Sequence, residues 1–142
     1  MIYTTQTKKA LKLCFEAHKE QKDKSGMPYV FHPFHLAEQM ETEDATVVAL
    51  LHDVVEDTDY TLEALAEMGF SDAVLQALAL LTHRDGVDYM EYVRAIKSNP
   101  IAKAVKLADL RHNSDPTRVE TVDARMLERW EKYRKAIALL EG

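Results

Sequence analysis

Cysteine, glycine and proline are scarce in this sequence. It contains one Cys, four Gly and four Pro in 142 residues, and it has no low-complexity segment. A single cysteine cannot form an internal disulfide, and the composition disfavours a disordered or all-β chain. Because Cys14 lies among Leu11, Leu13 and Phe15, we interpret it as a small core residue rather than a reactive thiol.

Strongly basic runs and long apolar runs are also absent. The formal net charge is -6, which gives no long-range attraction for a nucleic-acid polymer or an anionic membrane. The N-terminal residues lack an apolar segment of signal-peptide length, and no stretch approaches the roughly 18 apolar residues of a membrane span. We therefore expect a cytoplasmic protein that binds neither polymer nor membrane.

The residues that are present favour a helical chain. The length of 142 residues, with 46% hydrophobic and 30% charged residues, predicts one domain over residues 1–142. No segment alternates strictly between polar and apolar residues, so we predict an all-α, compact bundle of about seven or eight helices. Helix caps are predicted at Thr4 or Thr5, Thr42, Thr61, Ser71 and Asn99, and a last amphipathic helix is predicted from about 123 to 140.

The stretch ALLHDVVEDTD raises the main chemical question. If residues 43 to 57 form one helix, the apolar run 47–51 covers every direction around its axis and indicates a buried helix. Directly after this run come His52, Asp53, Glu56 and Asp57, and no Lys or Arg occurs from Thr42 to Met68. Buried carboxylates need a positive partner, so the helix either binds a divalent cation or ends in solvated acids.

Two further segments favour the cation. Asp109 ends the apolar-rich run IAKAVKLAD, and His32 lies beside a proline in YVFHPFH. Together with His52 and Asp53 these residues make a mixed set of two imidazoles and two carboxylates, which suits a first-row divalent ion with open positions. On chemistry alone manganese, iron, zinc and magnesium all remain open.

Three blocks of sequence resemble a known family. AHKEQKDKSGMPYVFHP, ALLHDVVEDTDYT and VKLADLRHN are similar to the hydrolase domain of RelA/SpoT enzymes and of the single-domain small alarmone hydrolases, within the HD metal-dependent phosphohydrolases. The similarity spans about residues 17 to 113. It implies an HD-type helical fold and removal of the 3′-pyrophosphate from ppGpp and pppGpp, which gives GDP or GTP.

The resemblance also implies roles for individual residues. It implies that one Mn²⁺ ion is bound by His32, His52, Asp53 and Asp109. Glu56 and Asp57 would position and activate the attacking water, and Lys24, Ser25 and Asn113 would line the nucleotide site. The expected partner is thus a small phosphorylated nucleotide, and the sequence leaves both a monomer and a homodimer open.

The chain departs from the family pattern at one position that concerns the base. Asp23 stands where family members usually carry an Arg that packs on the guanine, and a carboxylate cannot stack as a guanidinium does. Two alternatives therefore stay open. One is an HD hydrolase acting on another phosphorylated nucleotide or cofactor, such as NADPH, and the other is a regulatory module without catalysis.

The remaining candidates receive simpler interpretations. We assign His18, His83 and His112 to helix packing or the surface, and His35 to packing or support near His32. Lys103 and Lys106 are either solvated or phosphate-binding. We interpret the apolar residues of the last helix as core packing, namely Met126, Leu127, Trp130, Tyr133, Ile137 and Leu140.

Overall fold

The protein is all-α, as predicted. The computed structural model describes residues 1–142 and contains no β-strand. No helix combines the length and the apolar character that a membrane crossing requires. Its elements are α1 (Thr5–His18), α2 (Phe31–Glu38), α3 (Glu43–Leu51), α4 (Val54–Asp57), α5 (Leu62–Glu67), α6 (Asp72–Leu81), α7 (Tyr89–Ile96), α8 (Pro100–Asn113), a 3₁₀ turn (Pro116–Arg118) and α9 (Ala124–Glu141).

The helix starts follow the predicted caps. A side-chain oxygen at each cap accepts a hydrogen bond from a backbone N–H in the first turn, as in the 3.1 Å bond from Ala45 N to Thr42 Oγ1. The same arrangement is found at Thr4, Thr61, Ser71 and Asn99. Each such cap satisfies one of the unpaired N–H groups at a helix start.

Helix α3 is the central helix of the fold, but it is shorter than predicted. It packs against α1, α2, α6 and α8, and residues 47–51 are at most 1% exposed. The predicted single helix over 43–57 is wrong, because it breaks at Asp53, whose φ and ψ are -104° and 0°. The His52 ring bonds the carbonyl of Ala49 at 2.7 Å, and a side chain that takes a carbonyl of the preceding turn commonly interrupts a helix.

The last helix is only partly a core helix. Among its residues Ala136 and Leu140 are buried, whereas Leu127 is 58% exposed. The prediction that all its apolar residues serve core packing is therefore wrong for the first half of α9. Met126 and Trp130 instead line a cavity that α9 forms with the ends of other helices, whereas Tyr133 packs against the core and also lines that cavity.

Cys14 gives a first test of the packing. It is 3% exposed, and burial, reinforced by the charge of Asp53, raises the pKa of the thiol to about 12. Since the thiolate is the reactive form, we expect Cys14 to resist an aromatic disulfide reagent at pH 8 and to react fully in guanidinium chloride. Absorbance of the released thiol measures both, and rapid labelling in native buffer would contradict the packing.

Candidate metal and nucleotide site

Three side chains from three helices meet at one point. His32 comes from α2, His52 from the end of α3 and Asp109 from α8, and their ligand atoms lie within 4.8 Å of one another. His32 Nε2 is 2.8 Å and His52 Nε2 is 3.7 Å from the same oxygen, Asp109 Oδ1. All three residues are less than 9% exposed, so water does little to screen their interactions.

The protonation of His52 decides what this cluster can bind. Its Nδ1 lies 2.7 Å from the carbonyl oxygen of Ala49, and a carbonyl can only accept, so Nδ1 carries the proton. In the neutral ring Nε2 then has a lone pair, which faces Asp53 Oδ2 at 3.1 Å and has no hydrogen-bond partner. A buried lone pair directed at carboxylate oxygens fits a cation placed among them.

Asp53 lies at the edge of this cluster. Its Oδ2 accepts a hydrogen bond from the Tyr29 hydroxyl and lies next to His52 Nε2. Burial, and then the charges of Asp109 and Asp57, raise the pKa of Asp53 well above its usual value. Ligand atoms about 2.1 Å from one ion and at right angles lie roughly 3 Å apart, so the observed spacings suit a divalent cation.

Lys106 is the basic residue next to the cluster. Its Nζ lies 3.1 Å from Asp109 Oδ2 and 5.2 Å from the centre of the Tyr92 ring. Burial opposes ionisation of Asp109, but the charge of Lys106 and the hydrogen bond with His32 hold the pKa of Asp109 well below its usual range. Lys106 therefore reaches the site, whereas Lys103 does not line the cavity.

A cavity of about 620 Å³ opens above the cluster. Its size is in the range of small-molecule sites. Every residue that the sequence assigned to the site lines this cavity except His52, which lies 4% exposed beneath it. The lining residues among the predicted set are Lys24, Ser25, His32, Asp53, Glu56, Asp57, Asp109 and Asn113.

The two acids of α4 lie on the cavity wall. Glu56 Oε1 accepts a 3.0 Å hydrogen bond from the backbone N–H of His83, which fixes the carboxylate. Partial burial raises the pKa of Glu56 despite that bond, so its carboxylate is a stronger base than a fully solvated one. Asp57, one residue later, is exposed on the same cavity.

The residues assigned to the nucleotide connect several segments. Asn113 Nδ2 donates to Asp109 Oδ1 at 2.9 Å, and Ser25 Oγ donates to the carbonyl of Arg118 at 2.9 Å. Lys24 is exposed, and partial burial and the nearby charge of Arg129 lower its pKa. These contacts join the 22–28 loop, the end of α8 and the turn after it around one cavity.

Sequence reasoning missed several lining residues. Tyr29 contacts Asp53. The sequence does contain a signal for Tyr29, because it precedes the predicted ligand His32 by only three positions. His112 does not line the cavity, but it packs against His32 with 2.7 Å between the two Nδ1 atoms, in agreement with the packing role assigned to it. Arg118 and Trp130 gave no such signal, because they reach the cavity through the folding of the 114–123 segment.

The fold of this chain has a match among solved structures. A solved structure described as a metazoan ortholog of SpoT that hydrolyzes ppGpp superposes with a TM-score of 0.77. The match covers 100% of this chain and 89% of that chain at 24% sequence identity, which establishes the fold. No known family profile matches the chain.

Several curated proteins are similar to this chain in sequence. The chain is 39% identical over 114 residues to the mouse Guanosine-3′,5′-bis(diphosphate) 3′-pyrophosphohydrolase MESH1, and 38% identical over 109 residues to the human one. It is also 35% identical over 118 residues to a probable GTP pyrophosphokinase of Mycobacterium leprae. The chain is thus a homologue of the RelA/SpoT-type and MESH1 proteins. The matches cover 15% of the mycobacterial relative and 60–63% of the MESH1 proteins.

Proposed function

We propose that this chain is a metal-dependent hydrolase that removes the 3′-pyrophosphate from ppGpp and pppGpp, with GDP or GTP and pyrophosphate as products. One observation carries the proposal, namely that the unpartnered Nε2 of His52 faces Asp53 and Asp109 next to a nucleotide-sized cavity. The MESH1 relatives at 38–39% identity, named for this reaction, support the choice of substrate.

The ion would be held by His32, His52, Asp53 and Asp109, and we propose Mn²⁺. The mixed nitrogen and oxygen donors suit it, and Lys106 bonds Asp109 Oδ2, which is not the oxygen that lies next to His32 and His52. A divalent ion there supplies positive charge for the phosphoryl oxygens and lowers the pKa of water. Lys24 and Lys106 on the cavity wall add further positive charge for the phosphates.

Glu56 is proposed as the general base. Water attacks the phosphorus joined to the ribose 3′ oxygen, Glu56 takes its proton, and the bond from that phosphorus to the 3′ oxygen breaks. The leaving 3′ oxygen takes up a proton, so the products balance. Asp57, next to Glu56 on the same wall, positions the water.

Turnover of ppGpp by the purified protein with Mn²⁺ tests the proposal. GDP and pyrophosphate are resolved by ion-exchange chromatography, and a sample with excess chelator serves as the control. Formation of both products that stops on chelation is expected. If the protein binds Mn²⁺ but leaves ppGpp intact while removing a phosphate from NADPH, the alarmone assignment is wrong, and absence of both activities would favour the non-catalytic module.

Replacing Glu56 by Gln tests the general base. The amide keeps an acceptor for His83 N–H but cannot take a proton, so kcat should fall about 10²- to 10⁴-fold. The thermal midpoint and its response to Mn²⁺ should stay near the wild-type values. Asp59→Asn is the matched control, because Asp59 is exposed and lies off the cavity. Equal losses in both variants would contradict the assignment.

A further inference from the structure

The cavity has a second wall without metal-ligand side chains. It is formed by Arg118, Val119, Met126 and Trp130, from the turn after α8 and the first half of α9. We call these four residues the base wall. Aromatic and apolar surface in a cavity with charged groups elsewhere is typical of sites that bind the non-ionic part of a small ligand.

Trp130 is the aromatic residue of this wall. Its indole Nε1 donates to the backbone carbonyl of Asn113 at 3.0 Å, so the one polar atom of the ring is already bonded. The side chain is half-buried, and it lines the cavity. What remains for a ligand is the π surface, which every nucleobase can stack on.

The guanidinium group of Arg118 is held in place by hydrogen bonds from its N–H groups. Its Nη1 donates to the carbonyl of His112 at 2.8 Å and to Asn113 Oδ1 at 3.4 Å, and its Nη2 lies 3.5 Å from Asp23 Oδ2. Three of its five N–H donors are therefore occupied, and Asp23 offsets part of its charge. A guanidinium held in this way offers its planar face more readily than its donors, and that face stacks on aromatic rings.

The base wall is also at a suitable place relative to the metal cluster. Asn113 contacts both, because its Nδ2 donates to Asp109 Oδ1 while its carbonyl accepts from Trp130. Asp109 and Asn113 are four residues, about one helical turn, apart on α8, a rise of about 6 Å. A nucleotide can therefore place a phosphate at the cluster and its base on this wall.

We propose that Arg118 and Trp130 form the nucleobase subsite of this cavity and that Asp23 is the positioning residue for Arg118. The ligand class is a purine nucleotide, and the inference rests on the proposed function only for the reacting phosphate. At position 23, where the family usually has the stacking Arg, this chain has an Asp that holds Arg118 in place. The guanidinium comes instead from the turn at 116–118.

The single tryptophan of the chain makes a direct test available. Trp130 fluorescence is followed while GDP or inorganic pyrophosphate is added to the Mn²⁺-loaded protein. A base stacked on the indole should quench the emission in a saturable way, whereas pyrophosphate should leave it nearly unchanged. Equal responses to both ligands would overturn the subsite.

Variants at Arg118 separate stacking from charge. Loss of one stacking partner should weaken GDP binding and raise the KM for ppGpp about 5- to 150-fold in Arg118→Ala, with kcat within about threefold. Arg118→Lys should bind GDP nearly as weakly as Arg118→Ala, because lysine keeps the charge but has no planar group to stack on the base. Asp23→Asn should show a smaller loss in the same direction. Arg125→Ala, an exposed change on α9 away from the cavity, is the control.

The outcomes distinguish this inference from the proposed function. If ppGpp is hydrolysed while Arg118→Ala leaves KM unchanged, or if Arg118→Lys restores it, the stacking role is wrong and the hydrolase assignment stands. If ppGpp is not hydrolysed but GDP quenches Trp130 and Arg118→Ala abolishes the quenching, the subsite stands and the reaction is wrong.

Discussion

Asp53→Asn is expected to abolish turnover and at the same time to stabilise the metal-free protein. The Asp53 carboxylate faces the lone pair of His52 Nε2 and is near Asp109, and burial raises its pKa. The amide of Asn carries no charge, and its nitrogen can donate to that lone pair. The thermal midpoint in chelator should therefore rise.

With added Mn²⁺ the wild type should have a higher thermal midpoint than Asp53→Asn, the reverse of the order in chelator. For the wild type, free ion at 100 times its dissociation constant adds about 2.7 kcal/mol to the free energy of unfolding. Loss of a ligand should weaken ion binding more than about 100-fold, since changes even to groups behind the ligands cost 10- to 100-fold. Differential scanning fluorimetry with and without Mn²⁺ measures both effects, and a variant that Mn²⁺ stabilises as strongly as the wild type would exclude Asp53 as a ligand.

Lys106→Met is expected to lower the free energy of unfolding of the metal-free protein by about 3–5 kcal/mol. The Lys106 side chain is 13% exposed and pairs with Asp109, which is 9% exposed. Removing one partner of a buried ion pair leaves the other charge uncompensated, and Met replaces the aliphatic stem but not the ammonium. Urea unfolding followed by circular dichroism in chelator measures the loss.

The comparison with Lys103→Met gives this prediction its control. Lys103 lies on the same helix three residues earlier, is half-buried, and forms no ion pair. Its replacement should change the free energy of unfolding by no more than about 0.5 kcal/mol. Saturating Mn²⁺ should recover much of the Lys106→Met loss, because the ion then compensates Asp109. Similar losses in the two variants would show that the pair is not the cause.

The local signals in the sequence were sufficient for the all-α class and for the starts of several helices. Thr42, Thr61 and Ser71 cap the helices as predicted, because capping depends on residues within one turn. The resemblance brought together His32, His52, Asp53 and Asp109, and the structure clusters three of them with Asp53 at the edge.

Features that depend on tertiary contacts were not predictable in this way. The break between α3 and α4 follows from a bond of the His52 ring to Ala49, and helical periodicity contains no sign of it. Trp130 has the spacing of a core residue, yet α9 places it on a cavity because the 114–123 segment sets where that helix begins. Arg118 depends on a partner, Asp23, that is 95 positions away in sequence.

The cluster also has a consequence for the order of events in folding. His32 and Asp109 are 77 positions apart, so the chain must close a large loop, at an entropic cost, before an ion can contact both. The metal-ligand side chains come together only after α2, α3 and α8 have packed. The ion should therefore bind and stabilise the folded state and take no part in the folding nucleus. Metal binding should accordingly slow the unfolding rate while leaving the refolding rate nearly unchanged, and so act mainly on kinetic stability.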